Sequence, residues 1–178
     1  MKNVLVFCSA NDVGEKYIKP AREFGKLLAK NGFGLVYGGS DTGLMKIVAS
    51  SVTDSKGKII GISMTILKHL ARKGVAELII TKDLRERKEM MLKRADAIVV
   101  LIGGIGTLDE ITEILELKKH KLHDKPIAIL NTENFYEGIK VQLQKMKDEG
   151  FITRPLEELI YFADSPKEVL AYLDKKMK

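Results

Sequence analysis

Residues 97–107, Ala97-Ile98-Val99-Val100-Leu101-Ile102-Gly103-Gly104-Ile105-Gly106-Thr107, decide the fold. The run Ala97 to Ile102 is apolar without alternation. That predicts a strand covered on both faces, as in a parallel sheet. The glycines then make a tight turn, and Ile111, Ile114, Leu115 and Leu117 recur at helical spacing beyond it. Strand, glycine turn and helix in that order form the repeating piece of a crossover-connected sheet.

The same order extends in both directions. Upstream, Glu77 to Thr81 reads as a strand, and Asp83 caps a helix through Arg94 that is acidic early and basic late. Before these come a strand over Lys58 to Ser63, a helix from Leu44 closed by Gly57, and the turn Gly38-Gly39-Ser40-Asp41-Thr42-Gly43 after a strand over Phe33 to Tyr37. The first unit is a strand over Asn3 to Cys8 and a helix with apolar positions Tyr17, Ile18, Ala21, Phe24, Leu27 and Leu28, stopped at Asn31-Gly32. Downstream lie a strand over Pro126 to Leu130, a helix over Phe135 to Lys147 ending at Gly150, and a strand over Leu159 to Phe162. Ser165-Pro166-Lys167-Glu168 then joins a capping box to proline at the first helical position. The expectation is one α/β domain over residues 1–178, a Rossmann-like, doubly wound, mainly parallel sheet with helices on both faces. Ligands of such sheets sit beyond the carboxyl ends of the strands, where both glycine turns fall.

A length of 178 residues with 45% hydrophobic content suffices for one buried core. The lone Cys8 lies in an apolar run and reads as a buried thiol in a reducing compartment. Val4-Leu5-Val6-Phe7 is too short for a signal-peptide core, and no other apolar run spans a bilayer, so a cytoplasmic protein without membrane association is expected. The net charge of +6 favours anionic ligands, yet lysines and glutamates alternate along the helices and Trp is absent. This argues against a nucleic-acid surface, which interleaves basic blocks with stacking aromatics. His69, His120 and His123 lack a metal-ligand pattern, so neither metal nor cofactor is expected.

Each glycine turn follows a strand and opens a helix, which directs backbone N–H groups and positive potential at an anion. Candidate phosphate contacts are Gly38, Gly39 and Gly43 in one turn and Gly103, Gly104, Gly106 and Thr107 in the other, with Thr107 as helix cap or phosphate donor. Gly38 to Gly43 has P-loop glycine spacing, but Leu44-Met45 replaces the Lys-Ser/Thr pair. Neither turn has a complete G-x-G-x-x-G. The pattern points to a monophosphate.

Taken together, Tyr37-Gly38-Gly39-Ser40-Asp41-Thr42-Gly43-Leu44-Met45, Glu86-Arg87-Lys88, Ala95-Asp96-Ala97 and Gly103-Gly104-Ile105-Gly106-Thr107-Leu108-Asp109-Glu110 closely resemble the LONELY GUY (LOG) family. Its members are cytokinin riboside 5′-monophosphate phosphoribohydrolases, many earlier labelled possible lysine decarboxylases. The resemblance implies a homodimer that hydrolyses the N-glycosidic bond of a nucleoside 5′-monophosphate such as AMP to free base and ribose 5-phosphate. It assigns catalysis to Glu110 and Arg87. Lys88 joins the phosphate-binding candidates, and Met90 and Met91 are candidates for a base pocket. Asp109 and Glu113 are expected to face solvent. Ile102 stands where the family has proline, Ser40 and Lys46 where it has glycine, and Arg85 where it often has histidine. Glycine and proline replacements alter turn shape, which bears on base selection. Two other readings compete: a non-catalytic nucleotide or molybdenum-cofactor carrier, and a single-stranded DNA binder of related fold. No lysine stands out as a Schiff-base former, so decarboxylation has no chemical support.

Overall fold

In the computed structural model, which describes residues 1–177, β5 (Ala97–Val100) is buried along its whole length. Its successive residues serve opposite cores. Ala97 and Val99 pack with Phe24 and Leu28 of α1 (Glu15–Lys30), Val48 and Val52 of α2 (Gly43–Asp54), and Val169 and Leu173 of α7 (Pro166–Lys176). Ile98 and Val100 join Met91 of α3 (Leu84–Arg94), Ile111 and Ile114 of α4 (Ile105–Lys119), and Leu143 of α5 (Glu137–Asp148). Period-2 geometry turns an unbroken apolar run into two cores.

The sheet has seven strands in the order β4-β3-β2-β1-β5-β6-β7, and every pairing is parallel. The remaining strands are β1 (Asn3–Phe7), β2 (Gly34–Tyr37), β3 (Ile59–Met64), β4 (Glu77–Thr81), β6 (Ile127–Leu130) and β7 (Tyr161–Ala163). From β1 the chain winds outward to β4, then crosses back to β5 and winds the other way. The loops after β1 and β5 therefore leave adjacent strands toward opposite faces, opening a crevice at the topological switch point. The doubly wound expectation holds. No helix among the described residues is long and apolar enough to cross a membrane.

Several boundaries differ from the sequence reading. Strand β5 ends at Val100, although Leu101 and Ile102 are also buried. Helix α5 begins at Glu137 because the Asn131 side chain accepts a hydrogen bond from the Tyr136 N–H (2.7 Å), and Glu133 and Asn134 take positive φ (55° and 54°). The last strand is displaced: Leu159 closes a short helix, α6 (Leu156–Leu159), and β7 starts at Tyr161. Between β3 and β4 the chain forms a 3-10 turn over Thr65–Leu70 that the periodicity did not reveal.

Candidate functional site

A cleft of about 370 Å³ occupies the switch-point crevice. Strand β1 delivers Cys8, Ser9 and Asn11 to one wall, while Gly104, Gly106 and Thr107 at the start of α4 form the facing wall. Hydrogen bonds knit the rim. Ser9 N–H donates to the Ile102 carbonyl (3.0 Å), and Met45 N–H donates to the Ser9 carbonyl (3.2 Å).

The α4 end is an uncapped N-terminus. Its N-cap, Gly104, contributes no side-chain bond, and the first intrahelical bond runs from Leu108 N–H to the Gly104 carbonyl (3.0 Å). The N–H groups of Ile105, Gly106 and Thr107 thus lack intrahelical acceptors and stand at the positive end of the helix dipole. Thr107 is the third helical residue and not the N-cap. It is buried against Gly103, where a β-carbon would fall on the Thr107 side chain, so this approach requires glycine.

Arg87 reaches the cleft from α3 and is 7% exposed. Its Nε donates to the Ile62 carbonyl (2.9 Å) and its Nη2 to the Gly38 carbonyl (3.2 Å). Two backbone acceptors fix the guanidinium plane and leave further N–H donors for the cleft. A β-carbon at Gly38 would run into Arg87 Nη2 and the Met45 side chain. The pinned guanidinium and the Met45 side chain thus occupy the space that a side chain at position 38 would need.

Glu110 is 8% exposed and lines the same cleft. Among the described residues nothing donates a hydrogen bond to its carboxylate. Burial pushes its pKa up to about 7, opposed by the positive charge of Arg87 and reinforced by Asp109. Burial likewise lowers the Arg87 pKa, while the Glu110 charge opposes that shift. Two buried, oppositely charged groups therefore border one concave space, as a site of charge-stabilised chemistry requires.

The other sequence candidates distribute unevenly. Gly39 and Gly43 have positive φ (76° and 53°); Gly39 packs on β3 and Gly43 against the backbone of Ala10 and Asn11, and both shape the turn from behind the cleft wall. Lys88 does not line the cleft: its ammonium pairs with Asp109 (3.1 Å) and with Glu113. Asp109 is exposed, as expected, whereas Glu113 is half-buried; both are counterions of Lys88. Met91 is 1% exposed in the core, and Met90 borders a separate polar groove on α3, so neither lines the cleft. Met45, Leu67 and Leu70 supply its apolar surface. Of the departures from the family pattern, Ile102 is buried in the core, Ser40 lines the cleft, and Lys46 and Arg85 are exposed.

Sequence reasoning missed Ser9 and Asn11, although a polar turn directly after the first strand was visible. It also missed Leu67 and Leu70, which lie in a segment with neither strand nor helix periodicity. No group of three or more His, Cys, Asp or Glu residues among those described could hold a metal ion.

The family described as "Possible lysine decarboxylase" matches residues 45–173. A cytokinin riboside 5′-monophosphate phosphoribohydrolase of Arabidopsis thaliana is 34% identical over 178 aligned residues, covering 98% of this chain and 82% of the relative. The enzyme of that name from Rhodococcoides fascians is 36% identical over 156 residues, covering 85% and 79%. Among solved structures, the molybdenum cofactor binding protein of Rippkaea orientalis superposes with a TM-score of 0.79 at 20% identity, over 99% of this chain and 98% of that one. The molybdenum cofactor carrier protein of Chlamydomonas reinhardtii gives 0.75 at 22% identity, over 99% and 98%. At such identities the two structures establish a shared fold.

Proposed function

Because the chain belongs to the LONELY GUY family of phosphoribohydrolases, we propose that it hydrolyses the N-glycosidic bond of a purine or cytokinin nucleoside 5′-monophosphate such as AMP. One observation carries the reading: buried Arg87 and Glu110 border the same cleft as the uncapped N-terminus of α4. The free N–H groups of Ile105, Gly106 and Thr107 suit the 5′-phosphate. With phosphate there, the ribose lies toward Glu110, one helical turn further along α4. The base lies against Met45, Leu67 and Leu70.

The bond between the anomeric carbon and the base nitrogen breaks with its electron pair leaving on the base, and positive charge develops on the ribose. Ionised Glu110, itself 8% exposed, stabilises that charge from a largely buried position. Arg87 favours the ionised form of Glu110 and offers donors to phosphate or base. Water adds its oxygen to the anomeric carbon and gives up a proton, while the departing base takes one up; the products are free base and ribose 5-phosphate. A cytoplasmic setting accords with the buried Cys8 thiol. The family resemblance further implies a homodimer, which light scattering at working concentration tests.

The deciding experiment incubates the protein with AMP, GMP, CMP and isopentenyladenosine monophosphate and follows free base by chromatography. Base release from at least one nucleotide is expected. Binding without release from any of them transfers the assignment to a nucleotide or cofactor carrier, a reading the fold alone also accommodates.

A further inference from the structure

Lys88 directly follows Arg87 on α3, and its two partners bracket Glu110 on α4: Asp109 precedes that residue and Glu113 lies one turn beyond it. Among the described residues this ammonium makes the only polar link between α3 and α4. Arg87 spends its own bonds on the carbonyls of Ile62 and Gly38, on the strand side, and holds nothing on α4. Glu110 borders both the cleft and a separate cavity of about 210 Å³ between α3 and α4, into which Lys88 projects with Arg85 and Leu92. Arg87 on α3 and Glu110 on α4 thus border one cleft from two helices that this ammonium joins.

We propose that Lys88 is a positioning residue for the hydrolysis inferred above: by clamping Asp109 and Glu113 it holds α3 against α4 and sets the placement of Arg87 relative to Glu110. This rests on the phosphoribohydrolase reading. The Lys88 side chain is 18% exposed and bridges two carboxylates on another element, a shared-ion arrangement more constrained than an isolated surface pair. To serve as a phosphate ligand it would have to leave both carboxylates and pass the Glu110 partition. Its ammonium also balances their charges. The charged and titratable groups around Glu110 are Arg87 and Lys88 on α3, Asp109 and Glu113 on α4, Cys8 after β1 and Tyr136 at the start of α5. Removing Lys88 leaves two uncompensated carboxylates there, which favours protonated Glu110.

The test combines steady-state kinetics on a nucleotide that the parent hydrolyses with ¹³C NMR titration of the Glu110 carboxyl in the free protein. Lys88→Met is expected to lower kcat about tenfold or more with KM changed less than about threefold, and to raise the Glu110 titration midpoint. Lys88→Arg restores most of kcat. Asp109→Asn combined with Glu113→Gln lowers kcat similarly, although neither residue lines the cleft. A rise in KM with kcat retained in Lys88→Met overturns the proposal and makes Lys88 a substrate ligand. Unchanged kcat, KM and midpoint overturn it in favour of an inert surface pair. If the parent releases base from no nucleotide, the functional reading fails separately; the clamp is then judged by the Glu110 midpoint and its recovery in Lys88→Arg, and an unchanged midpoint overturns it.

Discussion

Glu110 is the residue at which burial and charge meet in the proposed site. A carboxylate with a pKa near 7 in the free protein is about half ionised at neutral pH, so its ionisation is visible in kinetics. If the ionised form faces the developing positive charge, kcat/KM rises with pH through about 7 and levels off above it. A proton-donating Glu110 would give the opposite limb, with activity falling through the same range. Glu110→Gln keeps the size and removes the charge. It is expected to lower kcat by about 100-fold or more, leave KM within about threefold and abolish the rising limb. A variant that kept near-parental turnover would remove Glu110 from the mechanism whatever the substrate. Glu110 and Thr107 were readable from sequence because they fall within one helical turn of a local motif. The placement of Arg87 against the Gly38 carbonyl was not, because those residues are separated by 49 positions and meet only when β2, β3 and α3 assemble.

At the scale of elements, the glycine turn before α4 is braced from behind by the connection between β6 and α5. The Tyr136 hydroxyl, buried, donates to the Leu101 carbonyl (3.0 Å), two residues before Gly103. Asn131 in turn fixes the Tyr136 backbone, and Glu133 accepts a left-handed conformation in the same loop. Tyr136→Phe keeps the ring and leaves that carbonyl without its donor, at a cost of about 1–2 kcal/mol. For a chain of this length the thermal midpoint is expected to fall by roughly 2–8 °C, measured by calorimetry at constant pH; an unchanged midpoint would show that the bond contributes nothing net. This loop illustrates what a pattern of residues conveys and what it withholds. The Asp83 cap of α3 and the Ser165 cap of α7 were legible, since each depends on a side chain bonding three residues ahead. Phe135 and Tyr136 fit a helical period and suggest an earlier start for α5, but the Phe135 N–H bonds the Thr132 carbonyl and the Asn131 side chain claims the Tyr136 N–H. The Thr65–Leu70 turn left no signal because none of its residues is buried, so nothing imposes a period on it.

At the scale of the whole molecule, the strand order reverses beside β1 and creates a crevice between loops whose sequences are about a hundred residues apart. Alternation of strands and helices sufficed to predict that crevice, but not which loops share it. That is why Ser9 and Asn11 escaped notice while the glycine turn did not. Closing the fold around the crevice also buries the Glu110 carboxyl, and this has a consequence for global stability. The unfolded chain releases that proton near the ordinary value of 4.5, whereas the native protein holds it to about 7. Between those values the native state binds more protons than the unfolded state. Stability from this group is therefore fully present below about pH 4.5 and is lost as pH rises through 7, a difference of roughly 3 kcal/mol. Glu110→Gln cannot titrate, so its stability relative to the parent should be lowest near pH 4.5 and increase toward pH 8. The variant predicted to lose turnover therefore gains stability relative to the parent as pH rises, as expected where a proposed functional site retains a buried charge at the expense of stability. Urea unfolding of parent and variant at pH 5, 6, 7 and 8 measures this gap directly. A gap that stays constant across the series would mean that Glu110 ionises in the native protein as readily as in the unfolded chain, and the rising limb of kcat/KM near pH 7 would then need another group.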